Sequence, residues 1–118
     1  MILLVEDQAV ARHAFARLLA ARGYEVMEAA DGQEALNLLE RHQFDLVVTD
    51  LGLPKVTGFG LVTQMRVKWP EIPVILVTAY LSPGAAKTIL QDNVTFLQKP
   101  LDPGKLIATV ERFTWPSR

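Results

Sequence analysis

The sequence predicts a three-layer α/β domain. Its parallel five-stranded sheet, in strand order 2-1-3-4-5, is doubly wound in a (βα)5 pattern with helices on both faces. Three observations carry this. Short, apolar, mostly β-branched segments recur at Ile2 to Val5, Glu25 to Ala29, Phe44 to Thr49, Val74 to Thr78 and Val94 to Leu97. Amphipathic stretches of helical length separate them. Strict βα alternation then requires parallel strands joined by right-handed crossovers, which place helices on both faces. At 118 residues the chain is one domain, with the tail 114–118, "TWPSR", read as linker or disordered.

Taken in order, "ILLV" is unbroken apolar sequence, as expected of a strand covered on both faces. In the first helix Phe15, Leu18 and Leu19 share a face, Arg12, Arg17 and Arg22 lie elsewhere, and Gly23 supplies the C-terminal cap. The second opens "DGQEALNLLE", with Asp31 as N-cap and Glu34 three residues on, as in a capping box. A third helix runs from about Gly58 to Trp69 and is stopped by Pro70. A fourth is capped by Ser82 with Pro83 in its first turn, though Gly84 weakens it. The last begins at Asp102–Pro103 and turns Leu106, Ile107, Val110 and Phe113 toward the core.

Composition removes several classes of function. A net charge of −1 with no basic run leaves no electrostatic footprint for nucleic acid or an anionic membrane. With no cysteine there are no disulfides, thiol nucleophiles or thiolate metal sites. No apolar run is long enough to span a bilayer and no signal peptide is evident, so a cytoplasmic domain is expected.

In open α/β sheets ligands sit beyond the carboxyl ends of the strands, where strand order reverses. Glu6 and Asp7 follow the first strand, Asp50 the third, Thr78 ends the fourth, and Lys99 follows the fifth. With the order 2-1-3-4-5, Glu6, Asp7 and Asp50 converge. Singly, each is an ordinary strand-end residue or helix cap; their coincidence at four of five strand ends makes a site. Three carboxylates in one pocket repel unless a cation lies between them. An all-oxygen donor set with no Cys or nearby His calls for a hard ion, and Mg2+ fits best. Adding a lysine and a hydroxyl gives the parts needed to hold a transferring phosphoryl group. No Cys or Ser motif supplies a nucleophile, but a carboxylate can itself become an acyl phosphate, and Asp50 is the best placed.

The segments "LLVEDQ", "VVTDLGLPKVTG", "VILVTAY" and "FLQKPL" resemble, in order and over essentially the whole chain, the signatures of response-regulator receiver domains of two-component signalling. That resemblance implies a flavodoxin-like fold, Asp50 as phosphoacceptor and Mg2+ as cofactor, with Mn2+ able to substitute. It implies that Asp7 binds the metal directly, Glu6 mostly through water, and Gly52 through its backbone carbonyl. Thr78 and Lys99 would hold phosphoryl oxygens, and the small Ala79 would leave them room. A cis Lys99–Pro100 bond would aim the lysine inward, while Pro54 and Gly58 would shape the loop over the site.

The resemblance further implies a switch in which Thr78 moves inward and Phe96 rotates behind it, changing the surface of the fourth helix, fifth strand and fifth helix. Gly52 and Tyr80 would tune phosphoryl lifetime. Ala9, Val10 and Leu101 would form an apolar rim where a histidine kinase or histidine phosphotransfer domain docks. A phosphorylation-dependent homodimer is compatible with this. His13 and His42 read as solvated helix residues rather than phosphodonors. As an isolated domain the chain would be no enzyme, catalysing only its own phosphorylation and dephosphorylation.

Competing readings fail on particular residues. A flavodoxin-like cofactor binder wants a Ser/Thr/Gly-rich loop after the first strand, where "VEDQAVAR" puts two acids. A haloacid-dehalogenase-type phosphatase wants an acid two residues after the nucleophile, where Gly52 stands. A phosphorylation-independent interaction module should have lost an acid, the Thr or the Lys. The acid–Asp–Gln start and "FLQKPL" favour a receiver excised from a larger protein, such as a hybrid sensor histidine kinase, over a stand-alone regulator.

Overall fold

The computed structural model describes residues 1–53, 55–79 and 93–114. Its elements are β1 (Ile2–Val5), α1 (Ala9–Ala21), β2 (Val26–Ala29), α2 (Gly32–Arg41), β3 (Leu46–Asp50), α3 (Gly58–Lys68), β4 (Val74–Thr78), β5 (Val94–Gln98) and the C-terminal helix α4 (Pro103–Phe113). All strand pairs are parallel and the order is β2-β1-β3-β4-β5, as expected. The helix predicted from Ser82 lies outside the described residues, as do Pro54 and Tyr80.

The core divides by the period-two alternation of the strands. Leu3, Val5, Val47, Val74 and Leu76 pack with Leu36, Leu39, Leu61 and Met65 on the face covered by α2 and α3. Ile2, Leu4, Leu46, Val48, Ile75 and Val77 pack with Leu19, Leu106 and Val110 on the face covered by α1 and α4. The β1 residues are at most 4% exposed, so this strand lies wholly inside.

Helix ends follow the capping chemistry. Asp31 accepts from the Glu34 amide at 2.8 Å, and Asp102 accepts from the Lys105 amide at 3.1 Å. Thr57, which the sequence reading passed over, caps α3 through the Gly60 amide. Gly23 follows α1 with a φ of 93°.

Some boundaries shift. Asp50 is the last residue of β3, in register with Val77, rather than the residue after it. Phe44 and Asp45 lie outside the strand; Phe44 is buried all the same, and buried apolar residues look alike in sequence whatever their backbone. Glu25 lies outside β2, and Gln98 extends β5. Thr114, expected in the tail, instead caps α4, and its carbonyl accepts from the Tyr24 hydroxyl; residues 115–118 lie outside those described.

Candidate functional site

Register brings the site together. Val5 pairs with Thr49, so Glu6 and Asp50 come level across the β1–β3 pair, where strand order reverses. Asp50 pairs with Val77, and the Lys99 amide donates to the Thr78 carbonyl at 2.7 Å, bringing Thr78 and Lys99 to the same edge. Alternation then sorts the side chains by face. Asp50 continues the row of Val48 toward α1 and α4, and Lys99 the row of Leu97. Thr78 continues the row of Leu76 toward α3.

Carboxylate oxygens of Glu6, Asp7 and Asp50 lie within 4.8 Å of one another. Lys99 Nζ is 2.5 Å from Asp50 Oδ2 and 3.9 Å from Glu6 Oε1. The Gly52 amide donates to Asp50 Oδ1 at 3.2 Å. Asp7 does not cap α1: the N-cap is Gln8, which makes no side-chain cap bond. That leaves the Asp7 carboxylate to the cluster.

These charges shift one another. Burial pushes the Glu6 carboxyl up to about 7, assisted by its hydrogen bond with Asp50 and opposed by Lys99. Burial would raise Asp50 as well, but hydrogen bonds from Lys99, Glu6 and the Gly52 amide outweigh it and hold that carboxylate below the usual range. Burial would lower Lys99, yet its hydrogen bond and attraction to Asp50 raise it. A neutral carboxyl beside an ionised one is the ordinary solution for crowded acids. Behind them a cavity of about 210 Å3, walled by Leu4, Phe15, Val48, Val77 and Leu101, supplies the apolar surroundings.

The donor set fits a hard divalent cation. Among the described residues Glu6 Oε2 is buried without a hydrogen-bond partner, and every side-chain donor in the cluster is a carboxylate oxygen. In front of it opens a polar cleft of about 430 Å3, lined by Asp7, Gln8, Asp50, Gly52, Thr78, Ala79 and Lys99, roomy enough for a phosphoryl group.

The remaining predicted residues take these places. Gly58 is necessarily glycine: a Cβ there would stand 2.5 Å from the Asp50 carbonyl oxygen, so the loop after β3 folds back onto the strand end. The Lys99–Pro100 bond is cis. Among the described residues nothing lies within 4 Å of where a Gly52 side chain would begin, so that rim position is open on their side. Phe96 is half-buried against the α2–α3 core, on the face of Thr78 and diagonal to it across the β4–β5 pair. Ala9 and Val10 are exposed at the start of α1, Val10 to 86%, whereas Leu101 is half-buried in the cavity wall. His13 is exposed but pairs with Glu28 at 2.7 Å.

Sequence reasoning missed Arg12. The sequence pattern sets it off the apolar face of α1 and gives it no role, but its guanidinium donates to the Glu6 carbonyl at 2.8 Å and to Glu28 Oε1 at 3.2 Å. A clue is its spacing: five residues past Asp7, at the fourth residue of a helix that starts at the site.

Comparison with known proteins bears on the family and the fold. Residues 2–111 match the family model of the response regulator receiver domain. The probable transcriptional regulator ycf27 of Porphyridium aerugineum is 36% identical over 110 residues, 92% of this chain and 45% of that protein. The sensor kinase CckA of Brucella abortus is 37% identical over 113 residues, 93% of this chain and 12% of that protein. The chain therefore spans less than half the length of either relative. The solved chemotaxis response regulator CheY4 of Vibrio cholerae superposes with a TM-score of 0.84 at 31% identity, covering 96% of this chain and 97% of that one.

Proposed function

The chain belongs to the response regulator receiver domains of two-component systems, and from that premise we propose that it is a phosphoacceptor whose acceptor is Asp50. The observation that carries the proposal is the juxtaposition of Lys99 Nζ, 2.5 Å from Asp50 Oδ2, with three carboxylates whose oxygens lie within 4.8 Å. Asp50 is ionised, anchored and open to the cleft, which are the requirements of a carboxylate nucleophile.

The donor is a phosphohistidine of a histidine kinase or a histidine phosphotransfer domain. An Asp50 oxygen attacks phosphorus, the O–P bond forms as the N–P bond breaks, and the imidazole leaves. Lys99 pairs with one phosphoryl oxygen and the Thr78 hydroxyl donates to another, while Ala79 adds no bulk at the mouth. Asp7, Asp50 and the Gly52 carbonyl would hold Mg2+, or Mn2+ in its place, with Glu6 acting mostly through water. Such an ion, when bound, neutralises the charge on the phosphoryl oxygens. The open position at Gly52 admits water to the acyl phosphate, so self-dephosphorylation is the only other chemistry expected.

The output runs through Thr78 and Phe96. A phosphoryl group adds nearly two negative charges, enough to draw the threonine inward and free space for the aromatic ring diagonal to it. Similarity to a sensor kinase supports a place within a larger signalling protein such as a hybrid histidine kinase. The exposed Ala9 and Val10, with Leu101, would form the docking rim. No described helix is long and apolar enough to cross a membrane, and a cytoplasmic setting follows from the two-component role.

The test is intact-mass spectrometry after incubation with acetyl phosphate, with and without Mg2+, on the wild type and Asp50→Asn. One phosphoryl adduct requiring both Mg2+ and Asp50 is expected. An adduct that survives the substitution would put the acceptor on another carboxylate, and no adduct on the wild type would reject the proposal.

A further inference from the structure

The β1–α1 loop carries two of the three acids, yet little of the usual machinery holds it. Its helix has an N-cap without a side-chain bond and no acidic residue in the first turn. The Glu6 amide is tied to the Ala29 carbonyl at 3.0 Å. The Glu6 carbonyl is tied by Arg12 Nη1 at 2.8 Å. Arg12 Nε reaches Glu28 Oε1 on β2 at 3.2 Å, and the Arg12 side chain is only 14% exposed. A guanidinium is a rigid planar fork, so fixing one edge on Glu28 fixes where the other meets the carbonyl.

We propose that Arg12, braced by Glu28, is a positioning residue for the acidic loop: by holding the Glu6 carbonyl it sets the Glu6–Asp7 peptide plane, and with it the place where both acids present oxygens to a divalent cation. This rests on reading those acids as a metal site. Arg12 touches neither the cation nor the phosphoryl group; it acts through Glu6.

Charge alone makes the opposite prediction. Removing a cation from beside a Mg2+ site relieves repulsion and should tighten Mg2+ binding. Loss of positioning should loosen it, because the loop must then be ordered on binding. The sign of the change therefore separates the two roles. Groups that orient metal ligands typically cost 10- to 100-fold in affinity when lost.

The experiment is calorimetric Mg2+ titration of the wild type, Arg12→Ala, Arg12→Lys and Glu28→Gln, with amide hydrogen exchange on the metal-free proteins. Arg12→Ala should bind Mg2+ about tenfold more weakly, and Arg12→Lys should recover little, since an ammonium keeps the charge without the fork. Glu28→Gln should fall between Arg12→Ala and the wild type. The Asp7 and Gln8 amides should exchange faster in both Arg12 variants. Labelling by acetyl phosphate should need more Mg2+ but return to the wild-type rate at saturation. Unchanged or tighter Mg2+ binding, or unchanged exchange at Asp7 and Gln8, would overturn the role of Arg12 while leaving the metal site standing. A wild type that binds no Mg2+ would remove the site itself. Should Arg12→Ala fail to fold, Arg12→Lys and Glu28→Gln decide the matter alone.

Discussion

Lys99 Nζ reaches past the end of β4 to stand 2.5 Å from Asp50 Oδ2, joining the residue after β5 to the last residue of β3. The contact keeps Asp50 ionised against the burial that would protonate it. It also places a cation where negative charge accumulates as a phosphoryl group arrives.

Replacing Lys99 by Met should therefore do two things. The Asp50 carboxyl should move up, since burial then acts with less opposition, and carboxyl-carbon NMR titration would read this. Labelling by acetyl phosphate should slow by about 100-fold, the usual cost of losing one preorganised donor to a developing charge. A rate within a few-fold of wild type would mean that Lys99 is structural.

Glu6 predicts a dependence on pH. Its carboxyl is raised from an ordinary 4.5 to about 7 in the fold. Between those values the folded chain holds a proton that the unfolded chain has released, so this group's contribution to stability falls as pH rises toward 7. Asp50 acts oppositely and lower: its depressed carboxyl gives stability that is lost as pH falls below its ordinary 3.8. Glu6→Gln should flatten the slope of metal-free stability between about pH 5 and 7, read as denaturant midpoints. Mg2+ affinity of the wild type should rise with pH through about 7, as the cation displaces the Glu6 proton. The Gln variant should lose that rise.

Much of the site was legible in the sequence because Glu6, Asp7, Asp50, Thr78 and Lys99 each stand where an apolar run ends. Topology turns five strand ends into one edge. What stayed hidden is tertiary. Arg12 has the same surface as any solvated helix arginine until the Glu6 carbonyl is placed beside it. Thr57 caps α3 from within a loop that reads only as turn sequence. The pattern sets Asp50 one residue outside β3 because a carboxylate looks like the end of a strand, whereas the ladder continues through its backbone to Val77.

Gly32 shows a second contact that no local pattern reveals. A Cβ on it would stand 2.1 Å from the Val56 carbonyl oxygen, so the start of α2 and the loop after β3 touch backbone to backbone. Beside that contact Lys55 Nζ lies 3.5 Å from Asp31 Oδ2. Gly32→Ala must push the loop away, as neither backbone can yield locally. The expected result is a loss of about 1–3 kcal/mol, as for other overpacked sites, with amide shifts concentrated at residues 51–58. Labelling of Asp50 should slow in a protein that still folds, because the Gly52 amide that holds its Oδ1 rides on the displaced loop. Shifts confined to α2 would show that the loop is not coupled to this contact.

Thr78 and Phe96 offer the last separation, between receiving a phosphoryl group and responding to it. Leu76 pairs with Phe96 and Thr78 with Gln98, so the threonine and the ring are diagonal neighbours on one sheet face. Diagonal pairs lie about 7–8 Å apart at Cα, within reach of an aromatic ring. A shift of Thr78 toward the phosphoryl group would change the space that the ring sees. Thr78→Ala removes the hydroxyl that would be drawn inward but leaves Lys99 and the three acids in place. Labelling by acetyl phosphate should slow by about 10- to 100-fold yet still occur, since a hydrogen bond to a charged oxygen contributes about 1.5–3 kcal/mol. The Phe96 ring resonances, which should shift on phosphorylation of the wild type, should then stay fixed. Phe96→Ala should leave labelling unchanged and abolish the response further along β5. A Phe96 resonance that moves equally with and without the threonine hydroxyl would show that the signal leaves Asp50 by another route.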